Sequence, residues 1–144
     1  MSAVWGPPAR LPRLLAALAC EDAAVSSGLA DGRVTMQRVF FDLYAARFPA
    51  AFDRLVVCVL WMGGEGQHTV AVSLRAPDGA VVGRGEAALE CRPEPATVAQ
   101  IVYFPGLVLP APGKYTVEVA LNGAPVHAFS IHVVQTGAQT QEGE

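Results

Sequence analysis

Residues 54–75 read RLVVCVLWMGGEGQHTVAVSLR, and two apolar runs in this stretch set the architecture of the whole chain. The first run, residues 55–62, is apolar at every position and rich in β-branched side chains, which predicts a buried strand in the middle of a sheet. The second run, residues 68–74, alternates apolar and polar side chains, which predicts a strand with one packed face and one face in water. Because the glycine-rich segment 63–67 separates the runs, we expect the two strands to form a hairpin.

The composition indicates one folded domain. The chain has 144 residues, of which 52% are hydrophobic and 16% charged, and its net charge is −3. A chain of this size buries a core of its own. We expect neither nucleic acid nor an anionic membrane as a partner, since both require clustered cations. No run approaches the ~20 apolar residues of a membrane span. We predict an irregular lead-in at residues 1–13, one β domain at 14–134 and a polar flexible tail at 135–144.

The three cysteines, Cys20, Cys58 and Cys91, form no closely spaced pair. This odd number of unpaired thiols is typical of a reducing compartment, so we expect a cytoplasmic protein. The alternative is an exported lipoprotein modified at Cys20, because arginines and a short apolar run precede that residue.

Further strands follow from alternation and turn residues. Residues 14–20 have both strand and helix character, and we favour a strand because turn residues follow closely. Strands are also predicted at 33–41, 80–90 and 97–104, with a tight turn at residues 77–79 and a helical turn within the connection 42–53. Residues 114–134 form a terminal hairpin around Asn122-Gly123, which is the strongest short-range signal in the chain.

These elements predict an all-β protein. About seven to eight strands, with turns every ten residues or so, favour an antiparallel two-sheet sandwich of immunoglobulin-like type. A small β-barrel is the second choice.

Four short motifs follow one another along the chain: Cys20-Glu21-Asp22, Phe48-Pro49, Pro77-Asp78-Gly79 and Pro112-Gly113-Lys114-Tyr115. Their order resembles an uncharacterised family of small bacterial β-sandwich proteins. The likeness covers residues 14–134, although Ala76 stands where an acidic residue is common. The resemblance implies the sandwich fold and no catalytic residue.

No motif predicts catalysis, so we expect no enzyme, no cofactor and no metal. His127 and His132 are five positions apart on a strand and therefore point to opposite faces. His68 could approach Cys20 or Glu21, but such a set is smaller than a metal site normally needs. The glycines at 63–66 lack the ending of a phosphate-binding loop.

Aromatic residues provide the best functional lead. Five of the eleven aromatic residues fall within thirteen positions, and any that remain exposed would offer a contact patch. We expect a non-catalytic interaction or scaffold module that associates with itself or with another protein; the alternative is a small-molecule or carbohydrate-binding module with its ligand between residues 63–67 and the aromatic connection. The predicted contact residues are Phe40, Phe41, Tyr44, Phe48, Phe52, Trp61, Ala128 and Ser130.

The terminal hairpin is the second predicted contact element. Lys114 and Glu118 are its only formal charges, so its edge lacks the charges that normally prevent strand pairing. We predict that this hairpin or the aromatic connection 40–52 forms a homodimer contact of at least about 1,200 Å² in total.

Overall fold

A computed structural model of the chain describes residues 10–25, 33–93 and 97–136. These residues form strands and contain no helix, which confirms the all-β prediction. The eleven strands are β1 (Arg13–Val25), β2 (Val34–Val39), β3 (Asp42–Ala45), β4 (Ala50–Phe52), β5 (Val56–Met62), β6 (Gly66–Arg75), β7 (Val81–Cys91), β8 (Thr97–Tyr103), β9 (Leu107–Leu109), β10 (Gly113–Leu121) and β11 (Ala124–Gln135).

The strands form three sheets. A four-stranded sheet has the order β2-β1-β5-β8, a five-stranded sheet has the order β3-β11-β10-β6-β7, and β4 pairs with β9. Pairing is antiparallel except between β11 and β3, which run parallel from His132 opposite Asp42 to Gln135 opposite Ala45. The predicted strand number and the fully antiparallel pairing were therefore wrong. The extra strands β3, β4 and β9 have three or four residues each, which is too short for alternation to be read from sequence.

The predicted hairpin between the two central runs was also wrong. β5 pairs with β1 and β8, whereas β6 pairs with β7 and β10 in the other large sheet. The connection crosses between sheets, with positive φ at Gly63, Gly64 and Gly66. At Gly64 a Cβ would lie 2.9 Å from Pro12, so this close crossing requires glycine. β5 itself lies inside its sheet, as predicted.

Several other local predictions are confirmed. Residues 14–20 belong to strand β1, and β10 and β11 form the terminal hairpin with Asn122 at φ 52° and Gly123 at φ 86°. The turn at 77–79 closes through the Gly79 amide, which donates to the Ala76 carbonyl at 2.9 Å. The predicted helical turn in the connection 42–53 is absent; β3 and β4 lie there, joined through a cis peptide bond between Phe48 and Pro49.

Both large sheets contribute side chains to one apolar core. Trp61 and Tyr115 are its largest fully buried side chains. The Trp61 indole donates to Gln100 Oε1 at 2.9 Å, and Gln100 Nε2 donates to the Ala88 carbonyl at 3.0 Å. Gln100 therefore joins β5, β8 and β7, which fastens one side of the four-stranded sheet to the edge of the five-stranded sheet.

The boundaries of the predicted lead-in and tail stay predictions. Residues 1–9 and 137–144, which make up most of both segments, lie outside the described residues. Within the described ranges, β1 begins at Arg13 and β11 ends at Gln135, close to the predicted domain limits.

Candidate functional site: an apolar sheet face between two charged ends

The four-stranded sheet is apolar on both faces. Val57, Val59 and Trp61 of β5 belong to the core, so the alternate residues Val56, Cys58 and Leu60 point to the opposite side. Val56 and Cys58 are each only 1% exposed, although they face away from the core. Water therefore reaches neither of these two side chains.

Three cross-strand rows make up this second face, which we call the outer face. Each row has one residue from β1, one from β5 and one from β8, and none is charged. Within the described residues, β1, β5 and β8 lie side by side in the four-stranded sheet. Cys20, Val56 and Cys58 are at most 1% exposed, whereas Tyr103 is 57% exposed. The rows are Cys20–Val56–Tyr103, Leu18–Cys58–Ile101 and Ala16–Leu60–Ala99.

The outer face has a small cluster of its own. Cys20, Ala23 and Val56 are buried together, with Met36 and Ile101 partly buried against them. Burial raises the pKa of Cys58, and burial together with the neighbouring Cys58 raises the pKa of Cys20. Both thiols therefore stay protonated near neutral pH, which is the unreactive form of cysteine. They act as small apolar side chains in this surface.

The exposed side of the five-stranded sheet has a different character. Thr116, Glu118 and Lys114 alternate with buried residues along β10, and Glu118 forms a salt bridge with Arg75 at 3.3 Å. This is the ordinary pattern of a sheet with one packed and one solvated face. The contrast singles out the outer face of the four-stranded sheet.

An acidic cleft lies at the start of β5. It has a volume of about 430 Å³, and Glu21, Asp22 and Asp53 line it together with Tyr103, which is 57% exposed. Asp22 pairs with Arg54 at 3.2 Å and Glu21 with Arg38 at 3.7 Å. In the described part of the chain no salt bridge involves Asp53. We call this region the acidic end.

A basic cleft of similar size lies at the other end of β5. Its volume is about 420 Å³, and Arg10, Arg13 and Arg92 line it beside Met62. Arg10 pairs with Glu65 at 3.4 Å, and Arg92 pairs with Glu90 at 3.3 Å. The Arg13 guanidinium lies 3.6 Å from the Met62 sulfur and forms no salt bridge within residues 10–25, 33–93 and 97–136. We call this region the basic end.

The predicted contact residues divide into two groups. Phe40, Phe48 and Phe52 pack against the core, and Trp61 is 1% exposed and offers no surface to a partner. Phe41, Tyr44, Ala128 and Ser130 remain at least partly accessible; Phe41 and Tyr44 are each 61% exposed. Tyr44 lies opposite Val134 on the solvated side of the five-stranded sheet.

The structure does not bring together the two elements of the predicted ligand site. β4 ends just before the start of β5, and residues 63–67 follow the end of β5. Seven residues of strand separate these points, which is about 23 Å. His68 does not join Cys20 or Glu21 either, because it lies on β6 in the other large sheet. Both of its ring nitrogens already have partners, Asn122 Nδ2 at 3.0 Å and the Glu65 carbonyl at 2.9 Å.

The terminal hairpin has an edge that is open over part of its length. β3 pairs only with His132–Gln135, where the His132 amide donates to the Phe41 carbonyl at 3.0 Å. Toward the hairpin turn, residues 124–131 of β11 have no strand partner on that side among the described residues. The low charge noted in the sequence therefore falls on an open edge.

Sequence reasoning did not identify the outer face as a site. The signal was present, because residues 55–62 are apolar on both faces and residues 14–20 are nearly so. Such two-sided strands normally have both faces covered. The sequence did not reveal that β1 pairs with β5, and this pairing joins the two apolar segments into one surface.

Comparison with known proteins places the chain in a family. The model of a family of unknown function, DUF6941, matches residues 15–134. The chain belongs to DUF6941. This confirms the predicted resemblance to an uncharacterised family. No curated protein matches the chain. Within the described residues, no helix is long and apolar enough to cross a membrane.

Proposed function

We propose that this DUF6941 chain is a non-catalytic, self-associating interaction module that binds through the outer face. One observation carries the proposal: three uncharged rows on β1, β5 and β8 form the side of the four-stranded sheet that faces away from the core, and Tyr103 in these rows is 57% exposed. Contiguous apolar patches of a few hundred Å² on a folded chain are often interaction sites. Burying them against a second apolar surface removes their contact with water.

The finer description of the fold belongs to the same proposal. We infer an immunoglobulin-like two-sheet sandwich, supported by the core that both large sheets share. The cytoplasm is the proposed location, because the three free, buried thiols suit a reducing compartment.

A pair of matched substitutions tests the binding surface. Ala99 lies on the outer face and Ala71 on the solvated side of the five-stranded sheet, and both are half-buried strand residues. We expect the wild type to dimerise, Ala99→Lys to weaken the dimer at least tenfold, and Ala71→Lys to leave it unchanged. Each substitution occurs twice in a two-fold dimer, so the cost of burying a charge counts twice. Sedimentation equilibrium between 1 and about 200 μM measures this, and circular dichroism checks folding.

The open edge of the hairpin is the competing surface for self-association. A Lys at Ala128 would place like charges across a two-fold contact between two β11 edges. If Ala128→Lys dissociates the dimer and Ala99→Lys does not, the hairpin is the contact and the outer face is not.

Ligand binding is the second candidate function. The size of the acidic cleft favours it, because about 430 Å³ lies within the range of small-molecule sites. A wild type that remains monomeric at the highest concentration would reject self-association and make this candidate the better one.

A further inference from the structure

We propose that the partner is a second copy of the chain, packed antiparallel, so that the basic end of each copy meets the acidic end of the other. The two-fold axis then lies between the two outer faces and runs across β5. This inference rests on the proposed function, since it specifies how two outer faces meet.

The size of the surface requires the charged ends to take part. Three strands about 4.8 Å apart, each seven residues long, give a flat area of about 14 Å by 23 Å, or about 330 Å². A specific interface needs about 600 Å² per copy. The ten residues from Asp53 to Met62 lengthen the three-stranded area to about 33 Å, or about 470 Å². β2 pairs with β1 only over residues 20–25 and adds about 100 Å², which gives about 570 Å². Only a contact that reaches both ends therefore approaches the required area.

Two symmetric arrangements would bring the outer faces together over this length. An axis along β5 puts the basic end on the basic end and the acidic end on the acidic end. An axis across β5 puts opposite ends together. Once the charged ends are inside the contact, the charges of the ends select between these two arrangements.

The charges at the acidic end and the basic end favour the axis across β5. At the acidic end the three carboxylates of Glu21, Asp22 and Asp53 lie beside the two guanidiniums of Arg38 and Arg54, which leaves one negative charge. At the basic end the three guanidiniums of Arg10, Arg13 and Arg92 lie beside the two carboxylates of Glu65 and Glu90, which leaves one positive charge. The groups without a salt bridge in the described part are Asp53 and Arg13. In the antiparallel arrangement Arg13 of each copy approaches Asp53 of the other, so this contact forms twice by symmetry.

Charge reversal tests the arrangement with the full chain. Arg13→Glu and Asp53→Arg each turn the two attractive contacts of a homodimer into two repulsive ones. We expect each variant alone to dimerise about tenfold more weakly than the wild type or worse. Mixed together, the two variants regain two attractive contacts, so the heterodimer should be favoured over both homodimers. Because the variants differ in mass, native mass spectrometry of an equimolar mixture counts the three dimers directly.

Salt provides an independent readout. At an ionic strength of 1 M the screening length falls to about 3 Å, so the excess of heterodimer should disappear while dimers held by the apolar rows persist. A structural effect of the substitutions on folding would not depend on mixing the variants. The double variant Arg13→Glu/Asp53→Arg should dimerise with itself nearly as well as the wild type.

The outcomes separate this inference from the proposed function. If Ala99→Lys dissociates the dimer but the mixture contains no excess of heterodimer, the outer face is the contact and the antiparallel arrangement is wrong. If Ala99→Lys leaves the dimer intact, or the wild type is monomeric, the proposed function itself is wrong. A heterodimer excess that is lost in salt, together with dissociation by Ala99→Lys, supports both.

Discussion

Replacing Gln100 with Leu should loosen the side of the fold where the two large sheets meet. Gln100 is 8% exposed, and its amide accepts from the Trp61 indole at 2.9 Å and donates to the Ala88 carbonyl at 3.0 Å. A leucine fills a similar volume but can form neither bond. The substitution therefore removes hydrogen bonds while keeping most of the packing.

The expected loss is about 2–3 kcal/mol in the free energy of unfolding. The Trp61 indole N–H is left buried without an acceptor, which costs about 1–3 kcal/mol. The Ala88 carbonyl lies on the more accessible β7, so its lost bond costs nearer to 1 kcal/mol. The apolar surface of the leucine offsets part of this sum. Such a loss is a large fraction of the total stability of about 5–15 kcal/mol that a folded domain has.

Urea unfolding followed by far-ultraviolet circular dichroism measures the effect. With a slope of about 2 kcal/mol per M, the midpoint should fall by about 1–1.5 M without a change of slope. Gln67→Leu is the matched control, because Gln67 lies exposed on β6, and it should change stability by no more than about 0.5 kcal/mol. If the two variants unfold at the same urea concentration, the bridge formed by Gln100 contributes nothing and the reasoning is refuted.

Two further predictions concern stability. Burial raises the pKa of Cys20, Cys58 and Cys91 above the ordinary 9.0 and that of Tyr115 above 10.0. As the pH rises, the unfolded chain therefore loses these protons before the folded chain does, which favours unfolding. These groups should leave the free energy of unfolding unchanged below about pH 8 and lower it above about pH 9, as measured by urea unfolding between about pH 7 and 10.5. A rise in the free energy of unfolding over this range would contradict the raised pKa values. Gly85→Ala should lower the free energy of unfolding by about 1–3 kcal/mol, because the new Cβ would lie 2.7 Å from Val102 Cγ1. At Gly79 a new Cβ meets no atom within 4 Å, so Gly79→Ala should lower it by only about 1 kcal/mol, through backbone strain at φ 92°. Thermal unfolding compares the two, and a larger loss for Gly79→Ala would reverse the argument.

For the open edge of the terminal hairpin, the sequence shows the low charge and the structure shows which residues have no strand partner. The sequence showed that Lys114 and Glu118 are the only charges between residues 114 and 134. The structure shows that β3 pairs with β11 only from His132 to Gln135, and therefore which part of that uncharged edge is free. The sequence could not locate β3, because its four residues are too few to show a period.

Local rules in the sequence determined the all-β class, the terminal hairpin and the interior position of β5. A period of two along residues 115–121 and 129–133 identifies strands, and Asn122-Gly123 adopts the positive φ that the connecting turn needs. The apolar run at 55–62 places β5 inside a sheet for the same kind of reason. Each of these features depends on neighbours in sequence, which is why a single chain reveals them.

Strand pairing and the candidate site were decided by the tertiary structure alone. Residues 55–62 and 68–74 are neighbours in sequence, yet they belong to different sheets because the chain crosses over at residues 63–66. The outer face exists because β1 lies beside β5 and β8 lies on its other side, and these partners come from positions about forty residues away in each direction. Apolar alternation specifies that one face of a strand must be buried, but it does not specify the strand or sheet against which that face packs. The hydrophobic effect is non-directional and depends on the apolar area removed from water, so it does not distinguish one apolar face from another.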